Sequence, residues 1–282
     1  MKYSNIILLS DLDGTLLNAQ SKVSKENRKA IEHFVANGGR FGVATGRARE
    51  NSLGLVKGIP LNYYSIFLNG TVLYDEIVGE NVELDFLEKE KLISLIIKCL
   101  EKHPTVGILI YLEKRTYFVS PKERSPIERV EEGKLEGEFA DLEAMMDKEW
   151  MKLFFLGEPE TLRMIEEEAK GLIEEGVVDG FYTDAHYFEL LPKGSNKGKM
   201  VGRIHQLKND QDVIYAVGDF YNDVEMIAVA DVGIYTENAP EELKKEAKRV
   251  SVDCNHHVMV DVIERIIEED LALSLGEKSK SF

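Results

Sequence analysis

Two cysteines in a chain of 282 residues, Cys99 and Cys254, are too few for a disulfide framework, and their separation matches no metal-ligand spacing. Both read as reduced, unremarkable thiols. No apolar run approaches the ~18 residues that cross a bilayer, and the opening Met1-Lys2-Tyr3-Ser4-Asn5 with its brief apolar stretch is too short for a secretory signal. The expectation is a soluble, cytoplasmic protein with no membrane partner. Basic residues are also scarce: 35 Lys and Arg stand against 51 Asp and Glu, a net charge of −16. Nucleic acid is held by neutralising phosphates, so this balance argues against a nucleic-acid partner. Absent too are the G-x-S-x-G elbow, the G-x-x-x-x-G-K phosphate loop and the dinucleotide glycine fingerprint, with the chemistries they carry. One tension remains. An anionic substrate needs a local cation to overcome the repulsive field, and a metal ion is one such device.

What is present is enough for a packed core. Hydrophobic residues make up 44% of the chain and charged residues 30%, which excludes a disordered tract and a membrane bundle. Ile6-Ile7-Leu8-Leu9 is an uninterrupted apolar run, as a strand buried on both faces requires. Ser24 caps a following helix that Gly38-Gly39 ends, and further strands at 41–44 and 65–68 flank a helix over 47–56. This alternation predicts a parallel sheet. From 72 to 191 the pattern changes to strand pairs joined by helices. It includes a helix over 89–102 with Ile93, Ile96, Ile97 and Leu100 on one stripe, and a helix opened by Pro159. The polar stretch 120–147 gives the weakest pattern. After Pro192 the alternation returns, with a strand at 249–252, a last apolar-striped helix and a tail from Ser274 that should fray. The fold class is α/β: a Rossmann-like parallel-sheet core made from both ends of the chain, with an inserted α+β module. The expected boundaries are 1–82 and 192–282 for the core and 83–191 for the insertion.

In an open parallel sheet ligands bind beyond the carboxyl ends of the strands, so the residues following each core strand are the informative ones. They are Asp11-Leu12-Asp13-Gly14-Thr15, Thr45-Gly46-Arg47, Asn69-Gly70, and Gly218-Asp219-Phe220-Tyr221-Asn222-Asp223. A turn after the first strand needs one Asp, not two. Asp219 ends a buried strand and no capping role explains it. Asn222 with Glu225 is a plausible capping pair, and Asp223 suits a helix dipole. Gathered carboxylates repel unless a cation joins them, and oxygen ligands suit Mg²⁺. Thr45 either caps the helix after it or binds phosphate, two compatible roles. Lys197 in the first turn of a helix is electrostatically misplaced unless an anion sits beside it, with Lys193 and Lys199 as rivals. His256-His257 lacks a third ligand and reads as structural or surface.

These strings stand in the order of the four motifs of the haloacid dehalogenase superfamily, and the insertion resembles the type C2 α/β cap of its Cof-type phosphatases. Asn69-Gly70 and Asn238-Ala239 also resemble that subfamily's loops. The resemblance covers nearly the whole chain. It implies a phosphoric monoester hydrolase acting on a small phosphorylated metabolite, with sugar phosphates leading, as a monomer or homodimer. Asp11 would be the nucleophile that forms an aspartyl-phosphate, and Asp13 the general acid and base. Thr45, Gly46 and Lys197 would hold the phosphoryl oxygens. Asp11, the Asp13 carbonyl and Asp219 would hold Mg²⁺ with Asp223 in support, and Arg47, Asn69, Gly70 and Asn222 would support the substrate. The inserted cap would exclude water and choose the substrate. Tyr111, Arg115, Tyr117 and His186 are its candidate contacts, though a structural or surface role is the plainer reading of each. A phosphomutase and a non-catalytic sugar-phosphate sensor are the alternatives. Ser10, Phe220 and Asn255-His256-His257-Val258 depart from the usual motif neighbours without removing a catalytic group.

Overall fold

A computed structural model describes residues 2–120 and 137–278. The chain forms two units: Met1–Gly46 with Ser52–Val82 and Asn196–Phe282, and Arg47–Asn51 with Glu83–Ser195.

The first unit is built on a parallel sheet. Strands β1 (Ile6–Ser10), β2 (Arg40–Val43), β12 (Val213–Gly218) and β13 (Val232–Tyr235) lie in the order β13-β12-β1-β2. Leu8 pairs with Tyr215 on one side and Phe41 on the other, so β1 is central. A parallel bridge from Ala44 to Ile66 continues the sheet toward β3 (Tyr64–Phe67), which turns back through β4 (Val72–Asp75) to β5 (Glu80–Leu84). Buried on both faces, the central strand β1 is apolar up to Ser10 at its carboxyl end. Ile7, Leu9, Ile214 and Ala216 pack with Met200, Val201 and Ile204 of helix α5 (Lys197–Leu207). Helix α1 (Lys25–Ala36) starts where the sequence predicts, the Ser24 hydroxyl accepting the Asn27 N–H at 3.1 Å.

Two expectations for this unit change. The strand at 249–252 reduces to one bridge between Tyr235 and Val250. The last helix, Val258–Lys278, runs past Ser274; residues 279–282 of the expected frayed tail lie outside the described residues.

The second unit holds a sheet of order β10-β11-β9-β6-β7-β8, made of β6 (Gly107–Tyr111), β7 (Thr116–Phe118), β8 (Glu138–Phe139), β9 (Lys152–Leu156), β10 (Val178–Asp184) and β11 (Tyr187–Pro192). Side chains alternate across it. Ile108, Ile110, Leu153, Phe155, Phe188 and Leu190 join a core with helices α3 (Lys89–Lys102) and α4 (Pro159–Glu174). Pro159 stands at the start of α4, where its missing N–H costs nothing. The α3 stripe differs from expectation: Leu92, Leu95, Ile96 and Cys99 are the buried face, and Ile97 is 45% exposed. Both stripes have helical spacing, and the sheet selects the one rotated by one residue.

The other face of that sheet carries a buried ion pair. Lys152 and Glu189 meet at 2.7 Å, and the Thr183 hydroxyl donates to Glu189 at 3.0 Å. The Lys152 ammonium lies 5.0 Å from the Tyr111 ring centroid and 5.2 Å from that of Phe154. Burial pushes the Tyr111 phenol up, Glu189 adds to this and Arg47 opposes it. Arg115 is exposed and pairs with Glu138 at 2.8 Å, and His186 Nδ1 bonds the Gly157 carbonyl at 3.1 Å. Of the weak stretch 120–147, residues 121–136 lie outside the described residues; the rest holds β8 and a single turn at Leu142–Met145. Among the described residues, no helix is long and apolar enough to cross a membrane.

Candidate active site

The carboxyl ends of β1 and β12 are adjacent, so the residues that follow them are brought together. The Asp11 N–H donates to the Val217 carbonyl at 2.9 Å, which extends the β1–β12 ladder to the edge. Lys197 begins α5 directly behind its cap, Asn196, whose side chain accepts the Lys199 N–H at 2.8 Å. The Lys197 side chain is 0% exposed, and its Nζ donates to Asp11 Oδ1 at 2.7 Å and to Asp223 Oδ1 at 2.6 Å. A buried ammonium survives only beside anions. Burial lowers its affinity for the proton, but Asp11 and Asp223 outweigh that and hold Lys197 firmly charged. The rivals are elsewhere: Lys199 is exposed and Lys193 pairs with Asp179 at 2.5 Å.

Asp223 corrects the capping expectation. Its Oδ2 accepts the N–H groups of Asp219 at 3.0 Å and Phe220 at 3.1 Å, so Asp223, not Asn222, closes this turn. Gly218 makes this possible, because a Cβ there would lie 2.4 Å from the Asp223 carboxyl carbon. Asn222 instead reaches across to a neighbouring loop, where its amide donates to Asn69 Oδ1 at 3.0 Å. Asn69 has φ 54° and its N–H bonds the Thr45 carbonyl at 3.0 Å. It therefore joins the loop after β2 to the loop after β12. Thr45 is buried, and helix α2 (Arg49–Leu53) starts four residues later. Gly70, at φ 96°, passes so close to Asn196 that a Cβ would lie 2.1 Å from its carbonyl oxygen. Asp13 is exposed in the loop beyond Asp11. Arg47 belongs to the second unit.

Carboxylate oxygens of Asp11, Asp219 and Asp223 lie within 4.8 Å of one another. Burial raises Asp11, with Lys197 opposing, and burial with the Asp223 charge pushes Asp219 up to about 7. Three clustered carboxylates face one ammonium, which pairs with two of them, an excess of negative charge that a hard divalent cation relieves. The donor set therefore fits Mg²⁺. Two residues escaped the sequence reading. The Thr15 hydroxyl donates to Asp219 Oδ1 at 3.0 Å, and the Asn238 amide donates to Asp219 Oδ2 at 3.3 Å. Thr15 lies inside the first motif and Asn238 inside a loop already noted, but neither spacing signals a shared partner. Of the departures, Ser10 turns its hydroxyl to the Asp11 carbonyl at 2.7 Å and Phe220 is 39% exposed. His257 takes a left-handed φ of 67° with its ring on the Ser24 hydroxyl at 3.0 Å.

The model of haloacid dehalogenase-like hydrolases matches residues 8–263. The chain belongs to the haloacid dehalogenase-like hydrolase family. A 5-amino-6-(5-phospho-D-ribitylamino)uracil phosphatase of Bacillus subtilis, YcsE, is 27% identical over 247 residues, covering 87% of this chain and 89% of that protein. The chloroplastic endoribonuclease YBEY of Arabidopsis thaliana is 26% identical over 286 residues. That match covers 92% of this chain, which spans only 46% of the Arabidopsis protein. A haloacid dehalogenase-like hydrolase from Bacteroides thetaiotaomicron shares the fold at a TM-score of 0.80 and 23% identity, covering 94% of this chain and 100% of that one. The expectations of a parallel-sheet core with an additional sheet-bearing region, and of a phosphoric monoester hydrolase of this superfamily, are borne out.

Proposed function

We propose that the chain is a Mg²⁺-dependent phosphatase that hydrolyses small-molecule phosphate monoesters, sugar phosphates or related metabolites, through an aspartyl-phosphate. The observation that carries this reading is the buried Lys197 ammonium shared by Asp11 and Asp223, with the Asp219 carboxylate beside them. The arrangement keeps one carboxylate oriented where an anion can be received.

Each residue then has a distinct role. Thr45, Gly46 and Lys197 hold the phosphoryl oxygens, and Asn222 is set by Asn69 to assist them. The other oxygen of Asp11 attacks phosphorus; the ester bond breaks and Asp13 gives its proton to the leaving alcohol. Asp13, now ionised, takes a proton from the water that attacks the phosphorus of the aspartyl-phosphate. Inorganic phosphate leaves and Asp11 is restored. Asp11, the Asp13 carbonyl and Asp219 would hold Mg²⁺, with Asp223 fixing the loop and Lys197. When bound, the ion neutralises charge on the phosphoryl oxygens. Lys197 supplies fixed positive charge for a transition state dominated by positioning and electrostatics. Together they answer the global charge of −16 with a local cationic spot. Arg47 and Gly70 complete the proposed set of supporting residues, and the proposed division is a core of 1–82 and 192–282 with a cap of 83–191.

The test is release of inorganic phosphate from a generic aryl phosphate and from a panel of phosphorylated metabolites, with Mg²⁺ and with EDTA. Release that needs Mg²⁺ and disappears in Asp11→Asn is expected. Folded wild type that isomerises a phosphorylated sugar without releasing phosphate, or binds it without turnover, overturns the reading in favour of a mutase or a sensor.

A further inference from the structure

A carboxylate that binds a cation must stop rotating, and one already held in place does not bear that entropic cost on binding. Asp219 is held at both oxygens. Thr15 Oγ1 donates to one at 3.0 Å and Asn238 Nδ2 to the other at 3.3 Å. Gly14 lets the first motif pass this close to Asp219, since a Cβ on it would lie 2.3 Å from Asp219 Oδ2. Asn238 does more than donate once. The same amide nitrogen donates to the Gly14 carbonyl at 2.8 Å, and its Oδ1 accepts the Cys254 N–H at 2.9 Å. One side chain after β13 thus pins three loops: the first motif, Asp219 and the segment around Cys254. That segment is itself fastened to the turn that follows the first motif, because Asn255 Oδ1 accepts the Ala19 N–H at 3.0 Å.

We propose that Asn238 is a positioning residue for Asp219, one that sets the affinity of the acidic cluster for its divalent cation. The inference rests on the phosphatase reading above. Asn238 touches neither the proposed nucleophile nor Lys197, so its effect falls on cation binding and not on the chemical step. Its own position is exposed, so removing it leaves the core intact.

The experiment is calorimetric titration of resting protein with Mg²⁺, without substrate, for wild type, Asn238→Ala, Asp219→Asn and the double variant. Asn238→Ala is expected to weaken Mg²⁺ binding about tenfold, the lower end for an outer-sphere partner of a metal ligand. Its metal-free Tm should stay within about 3 °C of wild type, as for an exposed substitution. In Asp219→Asn the same change should have no further effect on Mg²⁺ affinity, which a merely structural joint would not produce. In turnover, the Mg²⁺ concentration for half-maximal rate should rise by the same factor, with kcat at saturating Mg²⁺ within about threefold of wild type. Wild type that binds no Mg²⁺ defeats the phosphatase reading itself. Wild type that binds and Asn238→Ala that binds equally well defeat this proposal alone. Asn238→Ser serves if the alanine variant fails to fold, and unchanged affinity in it is equally fatal.

Discussion

Lys197→Met removes one ammonium and leaves two buried carboxylates. The structure sets the size of the effect. Lys197 is fully buried, as is Asp223, and the two contacts are 2.7 and 2.6 Å long. Removing one partner of a buried ion pair costs about 3–5 kcal/mol, because the charge left behind stays desolvated. Asp223 keeps two backbone N–H donors, from Asp219 and Phe220, which moves the expected cost to the lower end of that range. Asp11, already raised by burial, loses the charge that opposed the rise. For a chain of this length about 3 kcal/mol lowers Tm by roughly 6–12 °C. Turnover should fall at least ~10²-fold, the worth of one preorganised electrostatic partner of a developing charge. The assay is thermal unfolding in EDTA, paired with phosphate release below the variant's transition. Lys193→Met is the control. Lys193 is 55% exposed in its pair with Asp179, so Tm should move by no more than about 2 °C. A Lys197→Met protein within about 2 °C of wild type, or with turnover within about tenfold, would refute the assignment of Lys197 as the buried cation of the site.

Other consequences are as specific. Asp13→Asn should lose phosphate release by ~10²–10⁴-fold, and a loss below about tenfold would reduce Asp13 to its backbone carbonyl. Lys152→Met should cost about 3–5 kcal/mol in urea denaturation, while Lys152→Met with Glu189→Leu should recover most of it; equal losses would mean the pair is not isolated from water. Asp212 is held below the usual carboxylate range by Arg40, which grips it at 2.5 and 2.7 Å. Its folded value lies below its unfolded one, so its stabilisation is present at neutral pH and lost as pH falls through the folded value. Asp212→Asn should therefore cost about 2 kcal/mol at pH 7, and that gap should close as pH falls below about 4. A gap independent of pH would rule out the charge as its source.

Much of this was legible in the sequence because burial leaves a pattern. A strand covered on both faces must be apolar, which exposed Ile6-Ile7-Leu8-Leu9, the body of the observed strand Ile6–Ser10, and made Asp11 conspicuous just beyond it. Local rules located Ser24 and Pro159 because caps and N-terminal prolines act within one turn. Lys197 was legible as a charge at the wrong end of a helix. What was not legible depended on partners far away in the chain. In α3 the residues at 92, 95, 96 and 99 and those at 93, 96, 97 and 100 are both apolar stripes, and only the sheet decides between them. Asn222 reads locally as the cap and Asp223 as a partner of the helix dipole, and the approach of Lys197 and the backbone of Asp219 gives the closing role to Asp223. Thr15 and Asn238 meet on Asp219 across 223 positions of sequence, and no periodicity encodes that.

The most direct measurement is to trap the covalent intermediate. Enzyme in steady state with Mg²⁺ and an aryl phosphate is quenched in acid and reduced with borohydride, which converts an aspartyl-phosphate to homoserine. Peptide mass spectrometry then locates the change. The account predicts homoserine at position 11, and none there in Asp11→Asn or in EDTA. Homoserine at another aspartate, or an unmodified Asp11 in enzyme that is releasing phosphate, would contradict it.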